Sequence, residues 1–212
     1  MADAVLTAQA ARRTHGARLW IAVAALLAVP ALHAALSGFT MAAVLDWQPG
    51  LAWREPWRLW SAAWVHLNKL HLAANIAGTL LVCALGIAAG VTTRAAMAWA
   101  LAWPMTHAAL WLRPDIAHYA GLSGVLHAGV MVVAVALMRS GVPRQRAIGF
   151  ALAGGVLVKV AAEAPWSDMF PWSDTLRIAT VPFAHAAGVV AGAACSWALG
   201  VTTQRRVDAT PR

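Results

Sequence analysis

Apolar runs of near bilayer-spanning length recur along this chain, separated by short polar stretches. Six are legible: Leu19 to Leu36, Leu70 to Ala89, Ala95 to Leu112, Leu122 to Met138, Ala147 to Ala162 and Val181 to Gly200. A helix rises about 1.5 Å per residue and a bilayer core is about 30 Å thick, so each run predicts a membrane-crossing helix. The expected fold is all-α: one polytopic domain of six transmembrane helices, with residues 1–18 a cytoplasmic segment, 19–200 the core and 201–212 a cytoplasmic tail. Arg12, Arg13 and Arg18 precede the first run as they would in a signal peptide. That run is longer than a signal core and ends at no clean cleavage site, so it is read as a retained helix.

Composition strengthens this picture. Apolar residues make up 61% of the chain and charged residues 11%, against roughly half and a quarter in soluble domains. So few charges cannot cover a water-exposed surface. Cys83 and Cys195 both fall inside apolar runs, where a thiol packs as a small hydrophobe, and no disulfide, metal site or cofactor is expected. The net charge of +8 would suggest nucleic acid if its carriers were clustered, but they are sorted by side. With a cytoplasmic N-terminus, Arg12, Arg13, Arg18, Arg94, Arg139, Arg144, Arg146, Arg205, Arg206 and Arg212 lie inside, and five basic residues lie outside among six acids. That is the positive-inside bias, so no nucleic-acid partner is expected.

The loop from Ser37 to Lys69 is long and holds five of the twelve tryptophans. Trp53, Trp57, Trp60 and Trp64 follow i, i+4, i+7, i+11 spacing, which predicts one helical face lying in the headgroup region, with Pro56 in its first turn or at a kink. Between the fifth and sixth runs, Pro165-Trp166-Ser167-Asp168 is echoed by Pro171-Trp172-Ser173-Asp174, and turn formers beside interfacial aromatics predict a surface loop.

Polar side chains in lipid are expensive and so are functional candidates. His71 and Asn75, Ser123, and His185 stand near the starts of the second, fourth and sixth runs, which all enter from one side, so the four residues share a depth. Ser123 lies in Gly121-Leu122-Ser123-Gly124, at a loop-to-helix boundary where free N–H groups and the helix dipole suit an oxyanion. Below His185, Gly188 and Gly192 follow on the same helical face and form a groove for a close-packed neighbour. If that neighbour is the fourth run, His185 reaches Ser123 and can serve as the base a serine nucleophile needs, with Asn75 donating to the oxyanion.

This set, Trp57-Arg58, His66, His71-Leu72-Ala73-Ala74-Asn75, Gly121-Leu122-Ser123-Gly124, and Ala184-His185 with Gly188 and Gly192, resembles the rhomboid intramembrane serine proteases over residues 57 to 192. Trp-Val-His-Leu-Asn at 64–68 and Gly-Leu-Ser-Gly-Val-Leu-His at 121–127 are similar to the rhombosortase branch. The resemblance implies a dyad of Ser123 and His185 without an acidic third member. It also implies oxyanion donors from His71, Asn75 and the main chain near Ser123, Leu122 included. The implied partners are membrane-anchored substrates with C-terminal Gly-Gly tails in a bacterial inner membrane, and the implied active site opens to the periplasm. Many rhomboids place Tyr one turn after the serine; His127 stands there and either supports His185, the preferred reading, or fills the space. His33 and His107 are expected to be structural, and Lys159 and Glu163 to pair or snorkel. Two competing functions are an inactive rhomboid-like protein holding client helices and a His-rich haem or quinone protein.

Overall fold

The computed structural model describes residues 2–37, 41–166, 172–173 and 178–204. Its long elements are α1 (Ala2–Leu36), α4 (Lys69–Ala89), α5 (Thr93–Ala108), α6 (Ser123–Met138), α7 (Pro143–Ala162) and α8 (Pro182–Ala198). Two short helices, α2 (Ala42–Leu45) and α3 (Arg58–Ser61), lie in the loop after α1. The only strands among the described residues are β1 (Trp172–Ser173) and β2 (Ile178–Ala179), an antiparallel pair with Trp172 opposite Ala179. The chain is thus all-helical in architecture.

Among the described residues, three helical segments are long and apolar enough to cross a membrane: Thr14–Leu36, Lys69–Ala89 and Pro143–Ala162. The others are shorter, with 16 residues in α5, 16 in α6 and 17 in α8. The segment expected to precede the first span is helical from Ala2 and continuous with it, as a stretch rich in alanine and other good helix formers favours.

Helix α6 is the centre of the bundle, packing against α8, α7, α5 and α4. Its residues Val125, Ala128, Val132 and Ala136 are completely buried and join Trp20, Leu27, Trp99 and Ala102 in the main core. Two indoles there satisfy their N–H groups on helix carbonyls, Trp99 on Val125 at 2.9 Å and Trp20 on Val82 at 3.2 Å, and their rings meet at 4.3 Å. A smaller cluster of Met131, Val135, Ala153, Val156, Val160 and Val189 holds α7 against α6.

The tryptophan loop departs from expectation. Trp53, Trp57, Trp60 and Trp64 do not share one helical face. Trp53 lies in a turn and stacks on Trp111 at 4.9 Å, whereas helix begins only at Arg58 and passes into a 3-10 turn over Ala62–Trp64. Pro56, with no N–H and a fixed φ, separates the two stretches. Trp64 turns inward, donating to the Leu26 carbonyl at 3.0 Å.

This loop is anchored by Arg58, 2% exposed. Its guanidinium donates to Asp46 Oδ1 at 3.0 Å, to the Asp46 carbonyl at 2.6 Å, to the Ala43 carbonyl at 3.0 Å and to Glu55 Oε2 at 2.6 Å. Removing one partner of a buried ion pair strands the others, at a cost of about 3–5 kcal/mol. Arg58→Ala is therefore expected to lower the thermal midpoint in detergent by many degrees, and Arg58→Lys to recover little, because an ammonium lacks the planar fork. An unchanged midpoint for Arg58→Ala would show that the loop is held elsewhere.

Of the doubled Pro-Trp-Ser-Asp segment, Pro165 and Trp166 end the stretch after α7 and Trp172 and Ser173 form β1. Ser167, Asp168, Pro171 and Asp174 lie outside the described residues.

Candidate active site

Helices α4, α6 and α8 bring their N-terminal ends together. Asn68 caps α4, its side chain accepting from the His71 N–H at 2.9 Å, and this start places His71 and Asn75, four apart, on one face. Both are buried. The chain then reaches α6 through a tied-down loop in which Trp47 and Tyr119 pair main chain to main chain, Gly121 N–H donates to the Ala62 carbonyl at 3.0 Å, and the Tyr119 hydroxyl donates to the Gly121 carbonyl at 3.2 Å. Gly121 has φ +127°, and a Cβ there would lie 2.9 Å from His71 Nε2. Glycine is therefore required twice over, for the backbone angle and for the closeness of the imidazole.

Ser123 opens α6 directly after this turn. The first N–H groups of a helix have no intrahelical acceptor, so the main-chain donors beside its hydroxyl are not used within α6. Leu122 occupies the N-cap with its side chain wholly buried in the main core, and any part it plays falls to its backbone.

His185 lies in the first turn of α8, with Nε2 2.9 Å from Ser123 Oγ. What allows this approach is the absence of side chains. A Cβ added to Gly188 would land on the Gly124 carbonyl oxygen, one on Gly192 would lie 2.5 Å from the Ala128 carbonyl oxygen, and one on Gly124 2.7 Å from that of Ala184. Small residues one turn apart on both helices let the two backbones touch.

Two further groups fix the imidazole. His127 stacks on it, ring centroids 4.3 Å apart and planes 16° from parallel, while donating its own Nδ1–H to the Ser123 carbonyl at 2.7 Å. The second group is Glu163, whose Oε2 lies 2.7 Å from His185 Nδ1 and whose Oε1 accepts from Lys159 Nζ at 2.6 Å. The Lys159–Glu163 pair was expected from sequence; a carboxylate on Nδ1 of His185 was not. Burial works to raise the Glu163 pKa, but hydrogen bonds from His185 and Lys159 draw it down to about 2. The group is ionised at neutral pH.

The α4 side of the site carries further buried polar groups. Asn75 Nδ2 is buried without a hydrogen-bond partner, an arrangement that costs roughly 1–3 kcal/mol and calls for an explanation. His71 Nδ1 receives the Leu67 N–H in a long contact of 3.5 Å, which leaves Nε2 to carry the ring proton towards Gly121. Behind it, His66 packs edge-on at 4.9 Å. Burial, with His71 beside it, lowers the His66 pKa to about 4, so it is neutral.

Except for His66, these side chains line one cavity of about 480 Å³ between α4 and α7, whose remaining walls are mostly apolar and include Gly78, Leu81, Leu126 and Val156. Compared with known proteins, the chain matches no family model and no curated sequence. Of the expected site residues, Ser123, His185, His127, Asn75 and His71 line the cavity, and Gly121, Gly124, Gly188 and Gly192 lie where main chain or a side chain approaches closely. His107 is structural, donating Nδ1–H to the Leu59 carbonyl at 2.6 Å, and His33 is exposed. His118, assigned nothing from sequence, meets Asp46 Oδ2 at 2.7 Å. Tyr119, Thr180 and Glu163 are polar cavity residues to which the sequence assigned no role in the site. The only cue for Glu163 was an acid one turn beyond an intramembrane lysine.

Proposed function

We propose that this chain is an intramembrane serine endopeptidase of the rhomboid type, resembling the rhombosortase branch, that cuts membrane-anchored substrates at C-terminal Gly-Gly tails. The observation carrying this reading is Ser123 Oγ at 2.9 Å from His185 Nε2 on the wall of a mostly apolar cavity. A serine hydroxyl is a poor nucleophile until a base within hydrogen-bond reach takes its proton. In the proposed reaction Ser123 Oγ attacks the scissile carbonyl carbon as its proton passes to His185 Nε2. The resulting oxyanion is held by Asn75, His71 and the main-chain donors at the start of α6. Collapse of the intermediate breaks the C–N bond, and His185 returns the proton to the leaving amine. Water then attacks the acyl-enzyme, with His185 again as base, and frees the serine.

The membrane setting rests on three helices of spanning length and on the sorting of arginines to one side. The proposed topology has six spans, both termini in the cytoplasm and the site open to the periplasm of a bacterial inner membrane. Helix α6, with 16 residues, is roughly 24 Å long at 1.5 Å per residue and shorter than the about 30 Å core. A helix that short leaves its N-terminal serine below the surface, where water enters from the outer face. The cavity's walls on α4 and α7 suit an apolar substrate segment, and glycines at the cleavage point ease the unwinding that exposes a peptide bond.

The test is co-expression with a tail-anchored Gly-Gly substrate, together with labelling of purified protein by a fluorophosphonate that reports an activated serine. Labelling and cleavage that both depend on Ser123 are expected; a protein that neither labels nor cleaves would fit a holder of client helices instead. Asn75→Ala is expected to lower turnover about 10²-fold, the usual scale for one oxyanion donor, with substrate binding retained. An unchanged rate would assign Asn75 to packing.

A further inference from the structure

The chemistry proposed above needs a nucleophile, a base and oxyanion donors, and it leaves Glu163 without a task. The carboxylate nevertheless meets the one ring nitrogen of His185 that does not face the serine. We propose that Glu163 is a positioning residue for His185, supplied from α7 to set the tautomer in which the imidazole can act as a base. This inference rests on the protease reading and adds an acidic third member to the serine and histidine.

An ionised carboxylate only accepts hydrogen bonds, so at 2.7 Å from Oε2 the His185 Nδ1 must carry the proton. A neutral imidazole then has its lone pair on Nε2, 2.9 Å from Ser123 Oγ. In the opposite tautomer Nε2–H would donate to the serine and could not take its proton. When His185 becomes an imidazolium during attack, the same carboxylate also stabilises the new charge.

No other described neighbour does this work. His127 fixes the plane of the ring by stacking, but a stacked ring gives Nδ1 no acceptor, and its own Nδ1–H is committed to the Ser123 carbonyl. Lys159 reaches only the far oxygen, Oε1, at 2.6 Å, so each carboxylate oxygen has one partner and Oε2 remains aimed at His185. Base and acid come from different helices, α8 and α7, and the tautomer is therefore set by tertiary packing rather than within one helix.

The experiment compares full-length wild type, Glu163→Gln and Glu163→Asp in detergent or liposomes. Losing the acid of a serine triad lowers kcat by about 10⁴-fold where that acid is buried. Here the Glu163 side chain is 25% exposed, water can replace part of its effect, and the expected loss for Glu163→Gln is about 10²-fold in kcat. KM is expected to stay within about twofold, because the interaction strengthens only as charge develops on the ring. Glu163→Asp, which keeps the charge at shorter reach, is expected to retain more activity than the nearly isosteric Gln; a packing role predicts the reverse order. In proton NMR, the low-field signal of a hydrogen-bonded His185 Nδ1–H is expected in wild type and absent from Glu163→Gln. Wild-type kcat in Glu163→Gln, or Gln outperforming Asp, would overturn the inference. If Glu163→Gln does not fold, a wild-type spectrum lacking the low-field signal overturns it alone. Wild type that neither labels nor cleaves would instead bring down the protease reading itself.

Discussion

Ser123→Ala and His185→Ala are each expected to abolish cleavage, by roughly 10⁶-fold, with no further loss in the double variant. The two side chains form one reacting unit: without the hydroxyl there is nothing to acylate, and without the imidazole the hydroxyl keeps its proton. They lie in contact at 2.9 Å on the wall of one cavity. Neither substitution touches what holds the helices together. The α6–α8 seam is built from Gly124, Ala128, Gly188 and Gly192, and the core from aliphatic and tryptophan side chains on other faces. Both variants should therefore accumulate in membranes and unfold cooperatively near the wild-type midpoint, although His185→Ala opens a void beside His127. The measurement is processing of a tail-anchored substrate at matched membrane levels, with fluorophosphonate labelling as the independent readout. Substantial processing by Ser123→Ala would remove the serine chemistry altogether.

What could be read from the sequence, and what could not, divides along a physical line. Apolar periodicity is a property of each helix alone, so the long helices lie close to the expected runs. The shared depth of Asn75, Ser123 and His185 followed from counting turns from one side. Gly188 and Gly192 were legible as a groove because a helix face is fixed by spacing. Glu163 was not legible, because its partner is 22 residues away on another helix, and nothing in its own turn distinguishes a carboxylate paired only with Lys159 from one that also holds a histidine. The tryptophan loop failed for a different reason. Its i, i+4, i+7 spacing is helical, but Pro56 breaks the ladder and Arg58 ties the segment to Asp46 and Ala43, tertiary bonds that override a local period.

The second large effect concerns the seam that carries His185 to Ser123. Gly188→Leu and Gly192→Leu are each expected to lower processing by on the order of 10²-fold or more, the cost of misplacing reacting groups by about an ångström. The obstruction is backbone, not a flexible side chain. A Cβ on Gly188 would meet the Gly124 carbonyl oxygen and the Ala128 nitrogen, and one on Gly192 the Ala128 carbonyl oxygen and Cα. Main-chain atoms cannot rotate aside, so α8 must translate away from α6. Because His185 lies less than one turn from Gly188, the displacement passes almost undiminished to the imidazole. Even Gly188→Ala should be harmful, whereas a substitution that intruded only on side-chain tips would be absorbed. Val190, 67% exposed on the opposite face of α8, provides the control, and Val190→Leu should cleave and label as wild type does. The distinction from simple unfolding lies in the pairing of readouts at equal membrane levels: loss of cleavage and of fluorophosphonate labelling, with a retained cooperative unfolding transition, places the defect in the spacing of serine and histidine. Wild-type labelling and cleavage by both leucine variants would mean that α8 does not pack on α6 through this face, and the geometry of the site would be wrong even with the correct pair of residues.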